Sequence, residues 1–301
     1  MISRAFAYEI PDEQYRSKLL RKLQKDYPFL HIGTLSKSVC GRSIPYVAIG
    51  NPSEQVLMAG AFHGMEWLTS LLLIHFIKEL CEAIKHSRMI SEIKVAEFLK
   101  QRGVFFLPCI NPDGVEISLH GAESAGEYQK LVTKASGSNT SRWQANARGV
   151  DINHNFDAGW QELHELEQKS GIIGPAPTRD GGKKPESEPE TKAITTFCRF
   201  SNIRHALAFH SQGEEIYWSF GENTPKRSEL MVRIMAMSSG YKASQPEGLA
   251  VGGGFKDWFI KEKKRPAFTI EIGKGENPLP LDDLEEIYYA LEEMLVLSLI
   301  M

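Results

Sequence analysis

The chain has 301 residues, 42% of them hydrophobic, a net charge of -3 and a pI near 6.3. That length can be organised around one large core and does not by itself force a second domain. The lack of any Lys/Arg block argues against a nucleic-acid partner, and apolar runs such as Leu71–Ile74 are far too short to span a bilayer.

In chain order, the first ten residues, Met1–Ile10, lack the long apolar core of a signal peptide. Glu13–Lys25 carries Leu19, Leu20 and Leu23 at helical spacing and stops before Tyr27-Pro28, which predicts a short helix. Leu30–Ile49 alternates and turns at Gly41-Arg-Ser43, a hairpin pattern. Gln55–Phe62 reads as a buried strand. Glu66–Lys85 reads as a helix with Leu68, Leu71, Leu72, His75, Phe76 and Leu80 on one stripe, so His75 is expected in the core or on the helix face. Val104–Ile110 predicts a strand closing on a turn at Asn111-Pro-Asp-Gly114. Ile117–Glu190 is rich in Gly, Ser, Asn and Pro with few periodic apolar positions, which predicts a long functional loop. Glu188-Pro-Glu190 opens a helix to Phe200. Ser228–Ser238 and Asp282–Leu299 predict two more, and Val251-Gly-Gly-Gly254 a flexible loop before Asp257-Trp258. The expected architecture is α/β, one domain over residues 1–301. Cys40, Cys81, Cys109 and Cys198 show no disulfide or C-x-x-C spacing, and Cys109 and Cys198 read as buried thiols. That suits a reducing compartment, so a soluble, cytosolic protein is expected.

Four residues carry chemistry. His63 and Glu66 sit in Phe62-His-Gly-Met-Glu-Trp67, His210 in Leu207-Ala-Phe-His-Ser211, and Glu271 in Phe268-Thr-Ile-Glu-Ile272. Each follows or lies inside a short apolar, β-rich run, and an open α/β sheet gathers its ligands at the carboxyl ends of its strands. Two imidazoles and a carboxylate with water in the fourth position make a catalytic zinc site, and a further carboxylate can take the water's proton. Taken singly, H-x-x-E recurs by chance, and a histidine after an apolar run is more often a satisfied core residue. Glu271 resists that reading, because a carboxylate in a core strand is costly unless paired or working. Its alternative is an edge strand with the side chain in water.

In this order, His63-x-x-Glu66, Asn111-Pro-Asp-Gly114, Gly149-Val-Asp-Ile-Asn-His-Asn155, His210-Ser211 and Phe268-Thr-Ile-Glu271 resemble the zinc metallocarboxypeptidase family from about Ser17 onward. The resemblance implies a mixed β-sheet flanked by helices and one zinc per chain on His63, Glu66 and His210. It also implies Glu271 as general base and acid, and Asn153 on the substrate's carboxylate side. Four further segments look like the bacterial γ-D-glutamyl-L-diamino acid endopeptidases, which cut the peptidoglycan stem between D-Glu and a diamino acid. They are His210-Ser-Gln-Gly-Glu-Glu-Ile-Tyr-Trp218, Ser187-Glu-Pro-Glu-Thr191, Gly254-Phe-Lys-Asp-Trp-Phe-Ile260 and Asn277-Pro-Leu-Pro280. Gln212, in the first, and His154 are then expected at the substrate.

The departures from the family pattern are specific. The Arg that clamps a terminal carboxylate is replaced by His154, which cannot imitate its bidentate grip. The oxyanion-stabilising Arg aligns with Gln144, in Trp143-Gln-Ala-Asn-Ala-Arg148, and Gln supplies no charge. Arg148 or Arg142 reaches in to replace it, or both are solvated loop charges. A substrate-side Tyr falls near Leu249, and Met65 stands where carboxypeptidases often have Arg. Lys256 aligns with the base of the leaving side chain's pocket, where its charge would favour a carboxylate such as the distal one of diaminopimelate; the alternative is a surface lysine whose ammonium snorkels away. The expectation is a zinc peptidase acting on γ-D-Glu–diamino acid bonds of stem peptides, in wall-fragment recycling or sporulation. The alternatives are a carboxypeptidase on ordinary peptides and an inactive zinc-binding relative.

Overall fold

Eight strands form one mixed sheet in the computed structural model, which describes residues 8–301. The parts of the N-terminal reading and of the 1–301 domain assignment that fall on residues 1–7 lie outside the described residues. The sheet order is β1 (His31–Lys37), β2 (Ser43–Gly50), β4 (Gly103–Leu107), β3 (Gln55–Ala59), β5 (Ile203–Ser211), β8 (Ala267–Ile272), β6 (Glu215–Tyr217), β7 (Lys242–Ser244). β1 and β2 make the expected antiparallel hairpin, with Gly41 supplying a positive φ in its turn. β4, β3, β5 and β8 run parallel and are nearly wholly buried, as strands covered on both faces must be. β8 lies between β5 and β6, so Glu271 is not on an edge strand.

Alternate residues of these strands feed two cores. Val56, Met58, Leu207 and Phe209 pack with α1 (Glu13–Asp26), α2 (Leu68–His86), α8 (Arg227–Ser239) and α10 (Leu284–Ile300). Leu57, Ala59, Ala206 and Ala208 pack on the other face with α7 (Pro189–Phe200) and α9 (Phe255–Lys263). His75 is a buried residue of α2 whose Nδ1 lies 2.9 Å from the Tyr8 hydroxyl, a core histidine as expected. Cys109 and Cys198 are buried thiols, and all four cysteines are free.

Several elements differ from the sequence pattern. Asn111-Pro-Asp-Gly114 is not a turn but the start of α4 (Pro112–His120): the Asn111 side chain accepts from the Gly114 N–H at 2.8 Å, and Pro112 fills a first-turn position that needs no donor. The stretch 117–190 is not one loop. It holds α6 (Trp160–Lys169) and α5 (Gln129–Ser136), and α5 packs on a small core of Ile117, Ala125, Val132, Trp143, Ala145 and Ala147. Side-chain amides hold the rest: Asn155 donates to the Gly181 and Lys184 carbonyls at 2.8 and 3.0 Å, and Asn146 donates to Glu188 at 2.8 Å. The Gly252–Gly254 run leads straight into α9. α3 (Val95–Gln101), β6 and β7 are too short to leave a periodic signature.

Candidate active site

β3 ends at Ala59, and the chain then carries His63 into a short 3-10 turn, Gly64–Glu66. Gly64 is required there: a Cβ would lie 2.2 Å from the Gly114 carbonyl oxygen and 2.7 Å from that of Trp143. The close approach lets Gly64 N–H donate to Gln144 O at 3.1 Å and Met65 N–H to Trp143 O at 2.9 Å. Asn111 Nδ2 adds a bond to Phe62 O at 3.1 Å. The His63 segment, the α4 start and the Trp143-Gln144 segment are thereby one unit.

His210, near the end of β5, and Glu271, near the end of β8, are register partners in the parallel pair. His63 Nδ1 lies 2.7 Å from Glu66 Oε1, His210 Nδ1 lies 2.9 Å from Glu66 Oε2, and the two Nδ1 atoms are 3.3 Å apart. Ligand atoms of all three residues fall within 4.8 Å of one another. Asp151 Oδ1 takes the far nitrogen of His63, Nε2, at 3.2 Å, the carboxylate that characteristically backs a metal-binding imidazole. Phe62 stacks on His210 with centroids 5.1 Å apart.

The buried carboxylates of Glu66 and Asp151 dominate the electrostatics of the cluster. Burial opposes charge on His63, but Glu66 and Asp151 outweigh it and hold the imidazole's pKa well above its usual range. Burial would raise Glu66, yet His63 and His210 bring it down to about 2. Burial lowers His210. Burial, with the Glu66 charge adding, lifts the Glu271 carboxyl to about 8. Two ring nitrogens converging on one buried carboxylate are an N, N, O donor set suited to zinc.

These groups open on a cleft of about 460 Å³ that also receives Gln144, Asn153, His154, Leu249 and Lys256. Gln144 Oε1 accepts from the Thr178 hydroxyl. Asn153 Oδ1 accepts from the Phe255 N–H at 3.0 Å and so fixes the start of α9. His154 Nδ1 lies 2.7 Å from the buried carboxylate of Glu167, which leaves Nε2 for the cleft. Lys256 is not a surface lysine: it is 4% exposed, and its ammonium donates to Ser219 O at 2.7 Å and to Asp257. Two expected site residues lie elsewhere. Arg148 turns from the cleft toward Glu188, 3.5 Å away, and the Tyr128 ring, because both bind its guanidinium on the outer side of the segment. Gln212 is exposed and does not line the cleft.

Sequence reasoning passed over four residues here. Asp151 sits inside the Gly149–Asn155 motif, and its spacing to Asn153 could have flagged it. Tyr217, on β6, lines the cleft with its hydroxyl donating to Glu215 at 2.8 Å, and it lies within the His210–Trp218 segment. Glu167 and Arg179 carried no signal, being isolated charged residues in what read as one long functional loop.

A mixed sheet of this order, with two imidazoles and two carboxylates converging at its strand ends, defines the metallopeptidase class of α/β fold. The family model described as zinc carboxypeptidase matches residues 17–295, and the chain belongs to that family of zinc metallopeptidases. It is 35% identical over 271 residues to γ-D-glutamyl-L-diamino acid endopeptidase 1 of Lysinibacillus sphaericus, covering 89% of this chain and 67% of the relative. Among solved structures, bovine thrombin-activatable fibrinolysis inhibitor superposes with a TM-score of 0.73 at 18% identity, over 97% of this chain and 96% of its own. The murein-tripeptide amidase MpaA of Escherichia coli O157 does so with a TM-score of 0.54 at 20% identity, over 88% and 91%. Both of these likenesses concern the fold. Among the described residues no helix is long and apolar enough to cross a membrane.

Proposed function

We propose that the protein hydrolyses the γ-D-Glu–diamino acid bond of peptidoglycan stem peptides, with meso-diaminopimelate as the preferred diamino acid. The observation that carries the reading is one cleft holding both the His63–Glu66–His210 donor set and a buried lysine, Lys256. Similarity to the Lysinibacillus enzyme supports the same bond. In this reading His63, Glu66 and His210 hold one zinc, with Asp151 fixing His63 so that Nδ1 faces inward. Bound zinc would supply the positive charge that polarises the scissile carbonyl and acidifies water. Glu271 accepts the proton of the attacking water and delivers it to the leaving amine. Lys256, with two of its three donors engaged, has one left for the distal carboxylate of diaminopimelate. His154 presents one imidazole nitrogen where the family's bidentate Arg would stand, a poor clamp for a terminal carboxylate. Recycled wall fragments or a spore-forming compartment would supply such a substrate to a cytosolic enzyme.

Incubation with L-Ala-γ-D-Glu-meso-diaminopimelate and with ordinary α-linked peptides, followed by product masses, tests this. Release of L-Ala-D-Glu is expected. Cleavage confined to C-terminal residues of α-peptides would mean a carboxypeptidase, and no turnover of either by zinc-loaded protein would mean a binding module.

A further inference from the structure

Among the described residues Arg179 is the only arginine lining the cleft, and it reaches it from the 177–182 segment rather than from any of the three positions where the family carries one. Its placement is tightly held. Asp151 accepts the Arg179 N–H on Oδ2 at 2.9 Å while its Oδ1 holds His63, and the Asp151 N–H donates to Asp180 O at 2.8 Å. One buried carboxylate therefore sets both a metal-donor imidazole and the backbone that carries this guanidinium. Arg179 also adopts φ +64°, a left-handed conformation that glycine takes at no steric cost and arginine does not. Such a backbone persists only where its surroundings impose it, and it is a recurrent mark of functional positions.

The charge inventory of the cleft gives the guanidinium a role. The other basic side chains lining the cleft each have an acidic partner: Lys256 has Asp257, His154 has Glu167, His63 has Glu66 and Asp151, and His210 has Glu66. Among the described residues the Arg179 guanidinium has no hydrogen-bond or carboxylate partner. A γ-linked D-glutamate differs from any α-linked residue in carrying a free α-carboxylate on the acyl side of the bond to be cut. We propose that Arg179 binds that α-carboxylate and so selects the γ-glutamyl linkage, a role that rests on the reading above. A planar guanidinium can take both carboxylate oxygens at once, which makes it a recogniser of that group rather than a general positive charge.

The test compares L-Ala-γ-D-Glu-meso-diaminopimelate with the analogue whose glutamate α-carboxylate is an amide, using wild type, Arg179→Ala and Arg179→Lys. Wild type should prefer the free carboxylate by at least about tenfold in kcat/KM. Arg179→Ala should lose at least about tenfold on that substrate and little on the amide, and Arg179→Lys should recover part of the preference. Arg179 is exposed, so thermal stability should be unchanged. Calorimetric binding of L-Ala-D-Glu and its α-amide to the same three proteins gives a readout independent of turnover. Equal losses on both substrates, or unchanged discrimination in Arg179→Ala, overturn the proposal while leaving the cleavage reading intact. No cleavage of the γ bond by wild type overturns that reading, and Arg179-dependent discrimination in the binding arm would still stand apart from it.

Discussion

Lys256 and its chain neighbour Asp257 are ion-paired in the buried base of the cleft, at 4% and 1% exposure. Adjacent helical residues do not ordinarily face one another. Here Asp257 is held in place by accepting from the Gly252 N–H at 2.8 Å, and the ammonium is drawn to it. A diaminopimelate carboxylate would therefore share the ammonium with Asp257. Lys256→Ala should lower kcat/KM for the diaminopimelate substrate by at least about tenfold, against ~2–5 kcal/mol for a fully exclusive pair, and less for a lysine-containing analogue. It should also lower Tm, because Asp257 is left buried without its cation. Equal losses on both substrates would show that Lys256 acts on the fold alone.

Glu271→Gln should retain zinc and fold but lose roughly 10²–10⁴-fold in kcat, the usual worth of a positioned acid/base. Because burial and Glu66 already disfavour charge on Glu271, the neutral amide should not lower Tm. Turnover at the wild-type rate would place the base elsewhere.

Elemental analysis should find one zinc per chain. Excess zinc should raise Tm, by about 2.7 kcal/mol of stability at a hundred times Kd. His210→Ala should abolish that rise while the metal-free protein still folds. Full zinc retention in His210→Ala would remove it from the donor set.

Capping the substrate's C-terminal carboxylate as an amide should change kcat/KM by less than about tenfold, since His154 offers one nitrogen where a carboxypeptidase uses an arginine. Comparing acid and amide forms of one stem tripeptide decides the point. Loss of activity on the amide would make His154 a true carboxylate anchor.

Glu190 gives a pH prediction away from the cleft. It is fully buried, accepting from the Val39 N–H at 3.0 Å and from Asn146 at 3.2 Å, and burial raises its carboxyl to about 7. A raised carboxyl pKa means the folded state holds the proton more tightly. Its contribution is full below the unfolded value near ~4.3 and is lost as pH rises through 7. Glu190→Gln should flatten the stability profile in that window by a few kcal/mol at most, at about 1.4 kcal/mol per unit. Urea titrations from pH 4 to 8 read this directly, and an unchanged profile would mean that Glu190 is ionised throughout.

The strands bearing His210 and Glu271 were legible as short apolar, β-rich runs, Glu271 stood out because a carboxylate inside such a run is costly, and the parallel order then brought both to one crevice. The 117–190 region was not legible. Its cohesion comes from Asn146, Asp151 and Asn155 bonding to backbone and to distant side chains, and such bonds leave no period in the sequence. Asn111-Pro112 misled for a related reason: Asn before Pro serves a turn and a helix cap equally well, and only the chain that follows distinguishes them. Lys256 reads the same from sequence whether buried or exposed, since its burial depends on Asp257 and the Ser219 carbonyl.

His210 and Glu271 face each other across neighbouring parallel strands, and side chains along a strand alternate between opposite faces. A slip of one residue in β5 or β8 would turn one of the two to the far side of the sheet. The sheet therefore acts as a gauge of its own assembly, since only a chain with β5 in correct alignment can complete the donor set, and only one with β8 aligned can bring Glu271 to it. Zinc content per chain would then count the molecules with β5 in register, and an added residue upstream of His210 within β5 should yield protein that is folded yet unable to retain the ion.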